Sequence, residues 1–274
     1  MNLFWWKEKP LRTVCRVEKD GHTSFLVGTA HFSPYSFKKA LIRLTQSVDI
    51  VLFEGPLDQE SMAKVVQYGR QGENSPSVYE ALDPQAVKEI NKQLATRLNP
   101  PTTAGNYLEL IHSKASNYLE TYAVGVRPWM AFFTIWSNFL NWKYSMDVEA
   151  FQIAQKLGKK IEYLETIEDQ LAALDEVPFE RIVNYLNHIE HWKAHKEAFT
   201  KAFLEGNIKQ FYTMTGEFPT RCDSILTKRN PIFFYRMKTF FEEGKTAAFV
   251  GVAHIPGIRD MFLNEGYLVI QEEL

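Results

Sequence analysis

Two short phrases, one near each end of the chain, constrain its fold more than anything else. Phe25-Leu26-Val27-Gly28-Thr29-Ala30-His31 and Ala248-Phe249-Val250-Gly251-Val252-Ala253-His254 each run from an apolar segment through a glycine to a histidine. Each is followed by a proline, Pro34 or Pro256, and a helix-like stretch. A short continuous apolar run bounded by turn residues reads as a strand covered on both faces, as in a parallel sheet. The glycine allows a tight turn that a β-carbon would obstruct. A histidine just past such a strand faces the ligand crevice at the carboxyl edge of an open α/β sheet.

The surroundings of each phrase extend this reading. Leu11–Val17 and Thr23–Val27 flank Asp20-Gly21, a strong hairpin signal. Phe37–Gln46 carries Ala40, Leu41 and Leu44 at helical spacing, and Ile50-Val51-Leu52-Phe53 then runs into Glu54-Gly55-Pro56. That is strand, turn, helix, strand, a βαβ unit with a parallel pair. At the other end, a strand over Ala247–Val250 is followed by a helix over Ile258–Asn264, a stop at Gly266 and a strand over Tyr267–Ile270. The repeated plan points to an internal duplication.

The middle reads as helical. Helices are expected over Ser77–Leu98, Leu108–Tyr122, Trp129–Trp142, Asp147–Leu157 (stopped by Gly158), Glu168–Leu174, Phe179–Leu204, Ile208–Thr213 and Pro231–Glu243. One short strand, Ile161–Leu164, ends at Glu165. The expected fold is α/β: a central mixed, largely parallel sheet built from the terminal βαβ units (1–60 and 245–274), with a mostly helical insertion (61–244), all in one domain. The loops Gln71–Pro76 and Asn99–Gly105 are expected to be the most mobile.

With 274 residues, 45% of them hydrophobic, the chain is ample for a sizeable core. A formal net charge of −2 gives no reason to expect nucleic acid or an anionic membrane as partner. Cys15 and Cys222 make no disulfide framework and read as reduced thiols. The first residues lack the pattern of a signal peptide, and no stretch reaches the ~18–20 apolar residues of a membrane span. A soluble, cytoplasmic protein acting on a peptide or small molecule is expected.

His31, His254 and Glu54 are the candidate centre. Glu54 follows four apolar residues, and a carboxylate ending a buried strand is costly unless it is paired, metal-bound or catalytic. Its strand should run in the same direction as the one leading to His31, so the two can meet. His188, His191 and His195 fall at i, i+3 and i+7 of one expected helix, among Glu190, Lys193, Lys196 and Glu197. Three ligands from one helix lie awkwardly, so this reads as a solvated face. His22 and His112 look incidental. Asp147 reads as a helix N-cap, Glu165 as either a supporting carboxylate or a helix N-terminal one, and Arg127 as structural. The aromatic stretch Trp129–Trp142 reads as core, or as the wall of an apolar cleft. No Gly-x-Ser-x-Gly elbow, Walker loop or Gly-x-Gly-x-x-Gly is present.

Taken in order, Gly28-Thr29-Ala30-His31, Val51-Leu52-Phe53-Glu54, Arg127-Pro128-Trp129, Asp147, Gly158 to Glu165-Thr166 with Gln170-Leu171, Arg229-Asn230 and Gly251 to Gly257 resemble the TraB/GumN family. That family is related to the Tiki metalloproteases and, more distantly, to erythromycin esterases. The resemblance covers most of the chain. It implies that the paired Gly-x-x-His motifs and the glutamate form the functional centre, and that Arg229 and Asn230 belong to it. Metal-dependent peptidase chemistry is implied by the Tiki branch, and control of peptide pheromones by the TraB branch.

Three readings follow. In the first, His31 and His254 bind a divalent ion (Zn, Mn or Co) that activates water for amide hydrolysis, Glu54 is a third ligand or the base that takes a proton from the bound water, and Arg229 and Asn230 steady the oxyanion. In the second, no metal takes part: one histidine is the general base on water and Glu54 orients it. In the third, the chain binds or sequesters a peptide without turning it over.

Overall fold

A computed structural model describes residues 9–98, 117–213 and 216–274. Six strands form one mixed sheet: β1 (Val14–Lys19), β2 (His22–Thr29), β3 (Ile50–Phe53), β4 (Lys160–Tyr163), β5 (Thr246–Gly251) and β6 (Leu268–Glu272). Thirteen helices accompany it among the described residues. They are α1 (Lys38–Ser47), α2 (Gln59–Gly69), α3 (Val78–Ala81), α4 (Pro84–Leu98), α5 (Tyr118–Ala123), α6 (Pro128–Leu140) and α7 (Met146–Lys156). Then follow α8 (Ile167–Asp175), α9 (Phe179–Asn187), α10 (Glu190–Glu205), α11 (Gln210–Thr213), α12 (Arg229–Glu243) and α13 (Ile255–Asn264). The α/β expectation, with a largely parallel sheet, holds.

The strand order is β4-β3-β5-β2-β1-β6. β1 and β2 form the expected hairpin, with Asp20 (φ 50°) and Gly21 (φ 82°) both left-handed, as a two-residue primed turn requires. The expected side-by-side pairing of β2 with β3 is not what forms. β5 inserts between them, parallel to both. The physical reason lies in composition. β5, Thr-Ala-Ala-Phe-Val-Gly, is buried at every residue and suits the centre of a sheet covered on both faces. β6 likewise leaves its own βαβ partner and crosses to the far edge, antiparallel to β1, where exposed Leu268 and Ile270 alternate with buried Val269. β4, from the helical middle, closes the other edge beside β3.

The two histidine phrases are not superposable copies in this sheet. In the β2–β5 ladder Gly28 stands opposite Val250, and Thr29 opposite Gly251, a displacement of one residue. The helix after the second phrase starts at once, with His254 as its N-cap, whereas α1 starts seven residues beyond His31. The first phrase instead enters a loop pinned by a bridge between Ser33 and Tyr144.

The main core joins the sheet to α1, α7, α12 and α13. A second core is helical and aromatic, built on Phe132, Ile135, Trp136, Tyr185 and Trp192. It accounts for the Trp129–Trp142 stretch as packing. Two expected helices are divided. Ser77–Leu98 breaks before Pro84, which disfavours helix in the preceding residue. Phe179–Leu204 breaks at His188, whose Nδ1 is 2.8 Å from the Asn184 carbonyl at the end of α9. His188 therefore does not share a helix with His191 and His195. The solvated-face reading also fails for His195, which is 9% exposed and packs against Trp136, Tyr185 and Phe218. His112, the loop Asn99–Gly105 and most of the Leu108–Tyr122 helix lie outside the described residues. Among the described residues, no helix is long and apolar enough to cross a membrane.

Candidate functional site

The site forms beyond the carboxyl ends of β2, β5 and β3, where the chain leaves three neighbouring parallel strands. Glu54 follows β3, His31 follows β2, and Gly251 ends β5 between them. Gly251 donates its backbone N–H to Glu54 Oε1 at 2.6 Å. A β-carbon at this position would lie 3.3 Å from Glu54 Oε1, 3.5 Å from His31 Nε2 and 3.7 Å from His254 Cδ2. The glycine thus keeps open the point on which all three side chains converge. Gly28 has a different task. A β-carbon there would meet Ile255 and Val252 at 2.9 and 3.0 Å, so it lets the start of α13 pack against β2.

Both histidines are oriented through Nδ1. His31 Nδ1 is 2.9 Å from Asp147 Oδ2, and Thr29 Oγ1 donates to the other oxygen of that carboxylate at 2.5 Å. His254 Nδ1 is 2.7 Å from Asn230 Oδ1. With an oxygen acceptor on each Nδ1–H, both rings present Nε2 to the site. His254 Nε2 lies 3.8 Å from Glu54 Oε1, too long for a hydrogen bond.

Arg229, at the first turn of α12, ties the carboxylates together. Its Nε and Nη2 grip Glu165 at 2.9 and 2.6 Å, and Nη2 also reaches Glu54 Oε2 at 2.8 Å. Nη1 sits 3.5 Å from His254 Nε2. The guanidinium packs over the Phe233 ring at 4.8 Å, and that ring also touches His254. Arg229, Glu54, Glu165 and His254 are all buried. Two buried carboxylates require a cation, and Arg229 supplies it.

The environments push the two histidines apart. The Asp147 carboxylate raises the His31 pKa to about 9, against a smaller opposing effect of burial. The His31 side chain is nevertheless 58% exposed, so solvent weakens that hold. Burial drives His254 down to about 3, with Arg229 acting in the same sense and Glu54 against it. These surroundings favour the charged form of His31 and the neutral form of His254. Burial alone would raise Glu54, but Arg229, His254, His31 and the Gly251 N–H outweigh it and bring its pKa to about 2. Glu165 is raised by burial in spite of Arg229.

All five expected site residues, His31, Glu54, Arg229, Asn230 and His254, come together here. Sequence reasoning missed two partners, Asp147 and Thr29, and left a third, Glu165, open. Asp147 is not the N-cap of α7, a place taken by Ser145, whose side chain accepts from Val148 N–H. It is the acceptor that orients His31. Glu165 is the bidentate partner of Arg229, the supporting carboxylate of its two readings. Thr29 supports Asp147, and its place inside the first Gly-x-x-His was the available signal. Arg127 is structural as expected, although it joins helices to one another, bonding the Tyr68 carbonyl and Asp175.

The expected divalent ion can be tested against this donor set. The anchored imidazoles suit a metal. The remaining contacts do not: a guanidinium already covers Glu54 and the His254 Nε2 face, and among the described residues no group of three or more His, Cys, Asp or Glu side chains is disposed to hold a metal ion. As arranged, the residues do not fit a divalent ion.

Comparison with known proteins adds one finding. The model of the TraB/PrgY/gumN family matches residues 13–271, which takes in every residue of the site. None of the curated proteins matches the chain.

Proposed function

The chain belongs to the TraB/PrgY/gumN family, and within it we propose a hydrolase of amide or ester bonds that works by paired histidine acid–base catalysis. The observation that carries this reading is the convergence of two histidines with contrasting partners: His31 Nε2 and His254 Cδ2 would lie 3.5 and 3.7 Å from a β-carbon on Gly251, with a carboxylate on one ring and an amide oxygen on the other. Environments that drive two titratable groups in opposite directions assign the acid and the base. His254, neutral and buried, takes a proton from the attacking water through Nε2. The imidazolium that forms is steadied by Glu54 Oε1, 3.8 Å away. His31, held protonated by Asp147, gives its Nε2 proton to the departing nitrogen or oxygen. Both protons re-equilibrate with solvent after product leaves. Arg229 Nη1, the arm of the guanidinium free of carboxylate bonds, stabilises the oxyanion as the carbonyl becomes tetrahedral. Glu54 and Glu165 hold Arg229 in place, and Asn230 fixes the tautomer of His254. The substrate is a peptide or a small ester or amide.

A chelator-treated preparation screened against mixed fluorogenic peptides and nitrophenyl esters tests this. Turnover lost in both His31→Ala and His254→Ala is the expected result. No turnover of any substrate overturns the reading and favours a peptide-binding protein, and turnover indifferent to both changes overturns the roles of the two histidines.

A further inference from the structure

We infer that Arg229 is the resident cation of this site and that it keeps divalent ions out. The surrounding donors are of the kind a transition metal takes. His31 and His254 present Nε2 with Nδ1 already engaged by an oxygen, the arrangement that orients histidine ligands. Glu54 supplies a carboxylate oxygen beside both. What stands against the ion is the guanidinium. It bonds Glu54 Oε2 at 2.8 Å and lies 3.5 Å from His254 Nε2. An ion bonded to His254 Nε2 and to Glu54 at the usual ~2.0–2.2 Å would sit next to it.

Three features make the guanidinium hard to displace. It cannot shed its proton to relieve repulsion. It is held by three carboxylate bonds and packed on the Phe233 ring. It is also buried, where like charges are poorly screened. Glu54 and Glu165 in turn need one cation between them, and Arg229 already provides it. Arginine and metal are therefore alternative answers to the same buried negative charge, and this chain carries the arginine.

The test is metal binding. Metal-free wild type is titrated with Co(II), followed by visible absorption, and with Zn(II) by calorimetry. The comparison is Arg229→Ala/Glu165→Gln, which removes one charge of each sign and leaves His31, His254 and Glu54. Wild type should bind no stoichiometric ion at micromolar concentration. The double variant should bind one equivalent, at least about tenfold more tightly than wild type, and its melting temperature should rise with metal. Adding His254→Ala should abolish both effects. One tightly bound equivalent in wild type, lost in His254→Ala, overturns the inference. So does a folded double variant that binds no better than wild type. Should that variant fail to fold, Arg229→Gln takes its place under the same criteria. Because the readout is metal and not turnover, the inference stands or falls separately from the hydrolase reading.

Discussion

Gly251 and Glu54 are joined by a 2.6 Å hydrogen bond from a backbone N–H to a carboxylate oxygen across 197 residues of sequence. Through this bond the strand that ends in one histidine phrase positions the glutamate while leaving room for the histidine of the other phrase.

Gly251→Ala and Gly28→Ala should therefore fail in different ways. The first places a methyl group among Glu54, His31 and His254, 3.3 Å from the nearest oxygen, and should reduce turnover more than about a hundredfold with little loss of stability. The second presses on Ile255 at 2.9 Å and should cost about 1–3 kcal/mol, read from urea melts. The same outcome for both would contradict the separate roles assigned to the two glycines.

Asp147→Asn should move the alkaline limb of the pH–rate profile. Activity requires a protonated His31, so it falls as pH rises through the His31 pKa, about 9 in the native protein. Without the carboxylate that pKa drops towards the ordinary histidine value, and activity should be lost at correspondingly lower pH. A limb that stays in place would show that His31 is not the acid.

Stability should peak near pH 6.5, close to the pKa of an unperturbed histidine. His254 has a lowered folded pKa, so below 6.5 the unfolded chain binds the extra proton and stability falls, by up to about 1.4 kcal/mol per pH unit, until roughly pH 3. Glu54 adds to the acid loss as pH falls from its ordinary range towards 2. His31 has a raised folded pKa, so its contribution is complete below 6.5 and disappears as pH climbs to about 9, more gently because the ring is exposed. Urea midpoints across pH, for wild type and His254→Gln, check the acid side: the variant should lose less stability on acidification.

Arg229→Met should destabilise by about 3–5 kcal/mol, because it leaves two buried carboxylates without their cation. Arg229→Lys should recover only part of this, since an ammonium cannot reproduce a bidentate grip on Glu165 together with a bond to Glu54. Denaturant unfolding followed by tryptophan fluorescence measures both.

Tyr185→Phe should be stabilising, by about 1 kcal/mol. The Tyr185 hydroxyl is buried in the aromatic core without a hydrogen-bond partner among the described residues, and burial raises its pKa. Removing an oxygen that makes no bond relieves its desolvation at no loss of packing. A lower urea midpoint for the variant would contradict this.

The turn-and-strand skeleton was legible because it is written in local signals: Asp20-Gly21 for the hairpin, apolar runs for β2, β3 and β5, Gly158 after α7. The strand order was not, because adjacency in a sheet depends on which strand is most completely covered. That comparison set β5 between β2 and β3. The charged core of the site divided in the same way. Glu54 and the histidines were readable from their places after strands. Asp147 was not, and Glu165 was readable only as one of two alternatives, because each sits where a helix-terminal carboxylate is ordinary, and only the arrival of His31 or Arg229 from distant sequence gives it another task. His195 was misread because charged neighbours on α10 suggested solvent, while Phe218 comes over from another segment to cover it.

The insertion of β5 between β2 and β3 also sets a schedule. A ribosome releases β2 and β3 early. On one side β2 has β1, and β3 later has β4, yet the strand that joins them on the other side is made almost two hundred residues after β3. Until then both carry unpaired edges, and the nascent chain has neither a closed sheet nor a place for Glu54. Such delayed, long-range pairing is slow and exposes apolar strands to their counterparts on other chains. This protein should therefore depend on chaperones during synthesis more than its modest size suggests.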